Sequence, residues 1–193
     1  MGKPRQRRIL VTTSRRPSPR VRSLVKDLAG TIPGAFKFTR GHYSMEELAR
    51  EVILAGGDRI VVVGERRGNP GIIRVYDVRG DLSTRNIVSF IVKGVALSRE
   101  LRRPLPSKAD VLVVDAEPGI AEEFAEAFMI AFHAKLMEGR DPVMARIRGV
   151  NERTVLVEFE WRERLVGPRL KLGKPSSMIK VSSGESEGKA MSR

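Results

Sequence analysis

Two runs of branched aliphatic residues, Arg59-Ile60-Val61-Val62-Val63 and Val111-Leu112-Val113-Val114, most constrain what this chain can fold into. Neither run alternates apolar with polar, so each reads as a strand buried on both faces, within a sheet flanked by helices. The chain supplies helices to do the flanking. Before the first run, Ser44 and Glu47 make a capping-box pattern, with Met45, Leu48, Ala49, Val52 and Ile53 along one face and Gly56-Gly57 as the stop. After the second run, Pro118 opens a helix in which Ile120, Phe124, Phe128, Phe132 and Leu136 recur every four residues, with His133 inside it. The class is therefore α/β. With 193 residues, 41% of them hydrophobic, the chain can fill the core of one domain or of two small halves.

The remaining elements follow from the same signals. A first strand over Arg8 to Thr13 leads to a helix capped by Ser18, with Pro19 at its first position and Gly30 as its stop. Val21, Leu24, Val25 and Leu28 form the buried face of that helix. Pro33-Gly34 turns the chain into a short strand around Phe36 to Thr39. Further strands are predicted at Ile72 to Val78, Asn86 to Val92, Val143 to Arg148, Thr154 to Trp161 and Arg169 to Leu172. Ser98 to Lys108, rich in arginine and proline, is a connector. Strand, proline-marked helix start and amphipathic helix occur near 8–30 and again near 111–138, which suggests two α/β halves. Serine, glycine and charge take over at Pro175, and that composition predicts a disordered tail over 175–193.

Charge narrows the function. The formal net charge is +13, and eight lysines and arginines fall between Lys3 and Arg22 with no acidic residue before Asp27. Such a balance points to a polyanion, and to nucleic acid rather than a membrane surface, because no helix sets a basic face against a wide apolar one. No apolar run approaches the roughly 20 residues that span a bilayer. The chain contains no cysteine, which excludes disulfides, thiolate nucleophiles and cysteine zinc sites.

Two loops concentrate the charge. Thr13-Ser14-Arg15-Arg16-Pro17-Ser18-Pro19-Arg20 follows the first strand, with Arg22 one step into the helix. Helix N-termini present unpaired N–H groups and partial positive charge, so phosphates bind there well. Gly64-Glu65-Arg66-Arg67-Gly68-Asn69-Pro70-Gly71 follows the Val61–Val63 strand; taken alone it is an ordinary glycine-rich turn between strands. If the two strands are parallel neighbours, residues 14–20 and 65–70 converge on one sheet edge, where open α/β sheets bind ligands. Neither the RRM aromatic motif nor a phosphate-loop Gly-Lys-Ser/Thr pattern is present, so phosphate and shape recognition by arginine fits better than base stacking.

Catalytic constellations are poor. His42 and His133 are the only histidines, and each reads as a surface or helix-side residue. Asp115 and Glu117 follow a buried strand, a place where magnesium-binding carboxylates occur, but acidic residues just before a helix also stabilise its N-terminus.

Taken in order, Ile9 to Arg20, Pro33-Gly34-Ala35, Arg40-Gly41 and Val62 to Pro70 resemble the motifs of Brix-domain proteins, most of all the branch that joins the small-subunit processome. The motifs are dense in the first half; beyond about Val92 the likeness rests on element order and length. The shortness of the chain matches an archaeal single-domain version. The resemblance implies a cytoplasmic, non-enzymatic ribosome-biogenesis factor without cofactor or metal, one that binds pre-ribosomal RNA and helps it pair or fold. Ribosome-assembly proteins, and a guide RNA, are the further partners it implies. It also implies two similar halves, each a mixed sheet packed by helices and related to the anticodon-binding domain of class II aminoacyl-tRNA synthetases. The expected divisions are a basic arm over 1–7, a Brix domain over 8–174 with halves at 8–97 and 109–174, and the tail. The residues assigned to RNA contact are Thr13, Ser14, Arg15, Arg16, Ser18, Arg20, Arg22, Arg40, Arg66, Arg67 and Gly68. Two other readings remain open at this point: a tRNA-binding module of the anticodon-binding type, and a magnesium-dependent RNA-processing enzyme using Asp115 and Glu117.

Overall fold

A computed structural model describes residues 8–106, 109–136 and 139–177. The first unit contains β1 (Arg8–Thr13), α1 (Pro19–Thr31), β2 (Ala35–Lys37), α2 (Met45–Leu54), β3 (Gly57–Arg66), β4 (Asn69–Val78) and β5 (Thr84–Ala96). The second contains β6 (Val111–Ala116), α3 (Ile120–Phe132), β7 (Pro142–Asn151), β8 (Thr154–Trp161) and β9 (Arg164–Gly173), followed by β10 (Ser176–Ser177). The expected basic arm over 1–7 lies outside the described residues.

The topology repeats. In the first unit β1 is parallel to β3, and β4 and β5 follow antiparallel. In the second, β6 is parallel to β7, and β8 and β9 follow antiparallel. β2 and α2 are additions to the first unit. The halves do not carry separate sheets, which corrects the expectation of one sheet each. All ten strands join one sheet, in the order β2-β1-β3-β4-β5-β9-β8-β7-β6 with β10 beside β5. The reason is the length of β5. Its 13 residues pair with β4 as far as Ile91 and then with β9 from Val92 onward.

Alternation of side chains along the strands explains the two-sided burial of the valine runs. Ile9, Val11, Val61 and Val63 face a core shared with Val21, Leu24 and Leu28 of α1 and Phe124 and Phe128 of α3. Leu10, Ile60 and Val62 face the other way, beneath Leu48, Ala49 and Val52 of α2. Phe90 of β5 holds the shared core together, its ring 6.3 Å from Phe124, 5.4 Å from Phe128 and 6.5 Å from Phe132.

Helix ends depart from expectation in two places. α1 runs through Gly30 to Thr31. Gly30 lies against Leu105, whose Cδ1 would sit 2.6 Å from a Cβ at that position. α3 stops at Phe132, and His133 takes a left-handed φ of 52° instead of continuing the helix. The chain then lays Lys135 along β6, donating to the Leu112 carbonyl at 2.9 Å and accepting from Val114 at 2.8 Å. That contact covers the outer edge of the sheet and outweighs one more helical turn, leaving Leu136 63% exposed. His133 also meets the Asp58 carboxylate at 2.6 Å, and Arg59 donates to the Ile130 carbonyl at 3.4 Å, so the end of α3 is tied to the start of β3. The composition predicts disorder from Pro175, yet Ser176 and Ser177 pair with Ser89 and Val88 as a continuation of β9 along β5. The rest of the predicted tail lies outside the described residues.

Candidate nucleic-acid interface

β1 and β3 are parallel neighbours in register, Thr13 opposite Val63, so the loops that leave them start from one edge. Ser14 N–H closes the ladder onto the Val63 carbonyl at 2.9 Å. The chain then turns through Arg16, whose φ of 53° is left-handed. Ser18 caps α1 by accepting from Val21 N–H at 3.4 Å, and Pro19 occupies the first helical position. The facing loop is a two-residue hairpin turn between Arg66 and Asn69, with Arg67 at φ 51° and Gly68 at φ 78°. Both central residues having positive φ is the type I′ geometry that matches strand twist. Gly64 and Gly71 serve packing rather than ligand approach. A Cβ on the first would lie 2.7 Å from Ile72 Cγ2, and one on the second 2.4 Å from Arg66 Cβ.

Arg15, Arg16, Arg22, Arg66 and Arg67 are exposed around this edge. Among the described residues, none of the five has an acidic partner. Arg22 leans back onto the Pro17 carbonyl at 3.0 Å, and the Arg67 carbonyl accepts from the Asn69 amide at 3.3 Å. Two clefts flank the edge. One of about 430 Å³ is lined by Arg15, Arg16, Gly41 and His42. The other, of about 370 Å³, is lined by Arg20, by Arg66, Asn69, Pro70 and Gly71 of the hairpin, and by the segment 92–95, which includes Lys93.

Several expected contacts have structural duties instead. Thr13 is only 8% exposed, and neighbouring Thr12 donates to the Phe38 carbonyl at 2.8 Å. Ser18 is committed to the helix cap. Its N–H meets a carboxylate from the chain itself, Glu65 Oε2 at 2.6 Å, so the α1 N-terminus already holds an anion. Arg20 crosses to the connector, binding Glu100 at 2.6 Å and the Val95 carbonyl at 3.0 Å. The Leu97 N–H and that guanidinium together hold the Glu100 carboxyl below its usual range, against burial. Arg40 is half-buried, and its Nε has no hydrogen-bond partner among the described residues. Burial first, then the nearby Arg15 charge, lowers its pKa, with Tyr76 acting in the opposite direction.

The carboxylates weighed for metal chemistry do not converge. Asp115 binds Arg146 at 2.9 Å and Glu117 lies 3.7 Å from Arg148.

A probable Brix domain-containing ribosomal biogenesis protein of Aeropyrum pernix is 63% identical over 175 residues, covering 88% of this chain and 97% of that protein. The chain belongs to the Brix-domain family. A counterpart with the same description in Methanopyrus kandleri is 29% identical over 174 residues, covering 83% of this chain and 90% of that protein. Among solved structures, a probable ribosomal biogenesis protein from Aeropyrum pernix K1 matches with a TM-score of 0.86 and 64% identity over 90% of this chain and 99% of that one. The Brix chain also matches Mil, an archaeal Imp4-like protein, with a TM-score of 0.66 and 25% identity over 88% of this chain and 99% of Mil. No protein-family model matches the chain.

Within this Brix structure the motif residues divide into two kinds. Thr12, Thr13, Ser18 and Gly68 shape the backbone of the edge, while Arg15 and Arg67 stand exposed on it. Sequence reasoning missed Lys93 and His42 as cleft residues, and it placed Asn69 on the converging edge without assigning it a contact. A lone lysine in an apolar strand carries no local signal, and Lys93 reaches the edge only because β5 pairs beside β4.

Proposed function

We propose that this chain is a non-enzymatic RNA-binding factor of ribosome biogenesis that holds pre-ribosomal RNA of the small subunit while it folds or pairs. The observation that carries the reading is the convergence of five exposed arginines, without acidic partners among the described residues, on one sheet edge. Guanidinium groups bind phosphates through forked, charge-assisted hydrogen bonds, and unpaired ones keep that capacity. Arg15, Arg16, Arg22, Arg66 and Arg67 make the contacts in this reading. Ser14, Ser18 and Gly68 set loop shape, Arg20 and Arg40 brace it, and Lys93 and Asn69 extend it. The action is cytoplasmic, with assembly proteins and a guide RNA as further partners. The functional unit is a Brix domain whose two halves share ancestry with synthetase anticodon-binding domains.

Binding of labelled small-subunit precursor RNA across a salt series tests this. Neutralising roughly five phosphates gives a log–log slope of about −3.5 to −4.5, whereas a slope near zero rejects phosphate recognition. Competition with large-subunit precursor and with tRNA tests the small-subunit assignment. Intact RNA after incubation with magnesium is the expected result; cleavage abolished by Asp115→Ala would replace this reading with an enzymatic one.

A further inference from the structure

α2 covers the second face of the sheet in the first half, packing on β1 and β3 and reaching β5. Among the described residues no helix lies on that face in the second half, where Met144 and Leu156 are half-buried. A bulge in β5 decides what stands there. Val92 pairs with Leu172 and Gly94 with Lys171, so Lys93 is the extra residue. A Cβ on Gly94 would lie 3.7 Å from Lys171 Cβ, and one on Gly173 would lie 3.1 Å from Lys93 Cε. Lys93 and Lys171 therefore share this face. Lys171 opposes Leu156, and Leu156 opposes Arg148. The result is a row Lys93–Lys171–Leu156–Arg148 across four adjacent strands, about 15 Å long at the usual strand spacing.

All three cations in the row are exposed. Neither lysine has an acidic partner among the described residues, while Arg148 has the exposed Glu117 at 3.7 Å and feels the charge of Glu160, which is itself held by Arg146. Like charges on neighbouring strands repel, so the fold keeps this pair uncompensated at some cost. Lys93 also lines the cleft that contains Arg20 and Arg66, which makes the row continuous with the arginine edge.

We propose that this row carries the sugar-phosphate backbone of a helical RNA segment away from the edge, over the uncovered sheet face. The proposal rests on the RNA-binding reading above. Continuity with the edge favours RNA over an acidic protein. The side chains between the cations are aliphatic, Leu156 within the row and Ile91 beside it, 39% exposed. An unstacked single strand calls for aromatic platforms, whereas an A-form helix is gripped through its phosphates and 2′-hydroxyls.

The test uses the full chain carrying Lys93→Gln, Lys171→Gln and Arg148→Gln, a labelled blunt RNA hairpin and a single-stranded oligouridine. Hairpin affinity is expected to fall tenfold or more, with a salt slope shallower by about 2 to 3. Oligouridine affinity is expected to fall by no more than about threefold, because Lys93 is the one edge cation removed and the edge arginines remain. A charge-conserving variant with Lys93→Arg and Lys171→Arg retains hairpin binding, which separates charge from any change in folding. Wild-type hairpin affinity and slope in the triple variant overturn the path. If Arg15→Ala with Arg67→Ala still weakens binding, the RNA-binding reading survives that result; if it does not, both fail. Loss of an assembly protein from the triple variant with hairpin binding intact also overturns the path.

Discussion

The two halves of the sheet end in topologically equivalent edges that treat arginine in opposite ways. At the β1/β3 edge, Arg15, Arg16, Arg66 and Arg67 project without acidic partners among the described residues. At the β6/β7 edge, Arg146 is held between Asp115 at 2.9 Å and Glu160 at 2.8 Å, and Lys174 binds Glu123 at 3.0 Å. One backbone plan thus supports two uses of the same side chain. A guanidinium whose donors already meet carboxylates ties strands together, while one with free donors can bind a phosphate. The first edge has its own built-in competitors among the described residues, the Glu65 carboxylate on the Ser18 N–H and the Glu100 carboxylate on Arg20.

The largest effect tests whether the halves are separable at all. Phe90→Ala removes the ring shared by both and should cost about 3–5 kcal/mol. Denaturation followed through Trp161 in the second half and through Tyr43 and Tyr76 in the first should give coincident transitions, before and after the substitution. Separate midpoints would break the picture of one core.

RNA affinity comes next. Each of Arg15→Ala and Arg67→Ala should weaken binding about tenfold or more, since lost charged hydrogen bonds cost about 1.5–3 kcal/mol. Stability should hardly change, because exposed arginines contribute little to it. The cycle between them reports whether they serve one phosphate run. Arg146→Ala should do the reverse, lowering stability while leaving RNA affinity in place. Unchanged affinity in both edge variants and their double would remove the contrast.

The paired edge should also be acid-sensitive. The hydrogen bond from Arg146, outweighing burial, holds the Glu160 carboxyl below its ordinary value. A depressed carboxyl stabilises the fold above the unfolded value of about 4.3, and the benefit is lost as pH falls through the lower folded value. Glu160→Gln should therefore cost about 1 kcal/mol at neutral pH and nothing in strong acid. A pH-independent difference would show that the loss is one of packing.

Glu65→Gln should give the smallest change. Removing the negative charge while keeping an acceptor for the Ser18 N–H should tighten RNA binding about two- to threefold, with a few tenths of a kcal/mol lost from the helix end. Weaker binding would mean that Glu65 shapes the edge rather than competing for it.

What could be read directly from the chain was local. Ser18-Pro19 and the Ser44/Glu47 pair announced their helices because caps satisfy N–H groups within three residues. The Val61–Val63 run announced a two-sided strand, and the basic loops were legible because every arginine in them is close in sequence to the strand end that presents it. The neighbours of those arginines were not legible. Arg20 pairs with Glu100, 80 residues away, and no local pattern distinguishes it from the exposed Arg22 two positions later.

The order of strands and helices, the caps and the charge of each loop were thus determined by sequence alone, since they depend on residues a few positions apart. Tertiary structure decided the rest. It joined two expected sheets through the length of β5, ended α3 at Phe132 so that Lys135 could cover β6, and placed Lys93 beside Lys171 through a bulge. Each of those outcomes balances local propensity against hydrogen bonds and packing between segments far apart in the chain, and that balance exists only once the partner segment is in place.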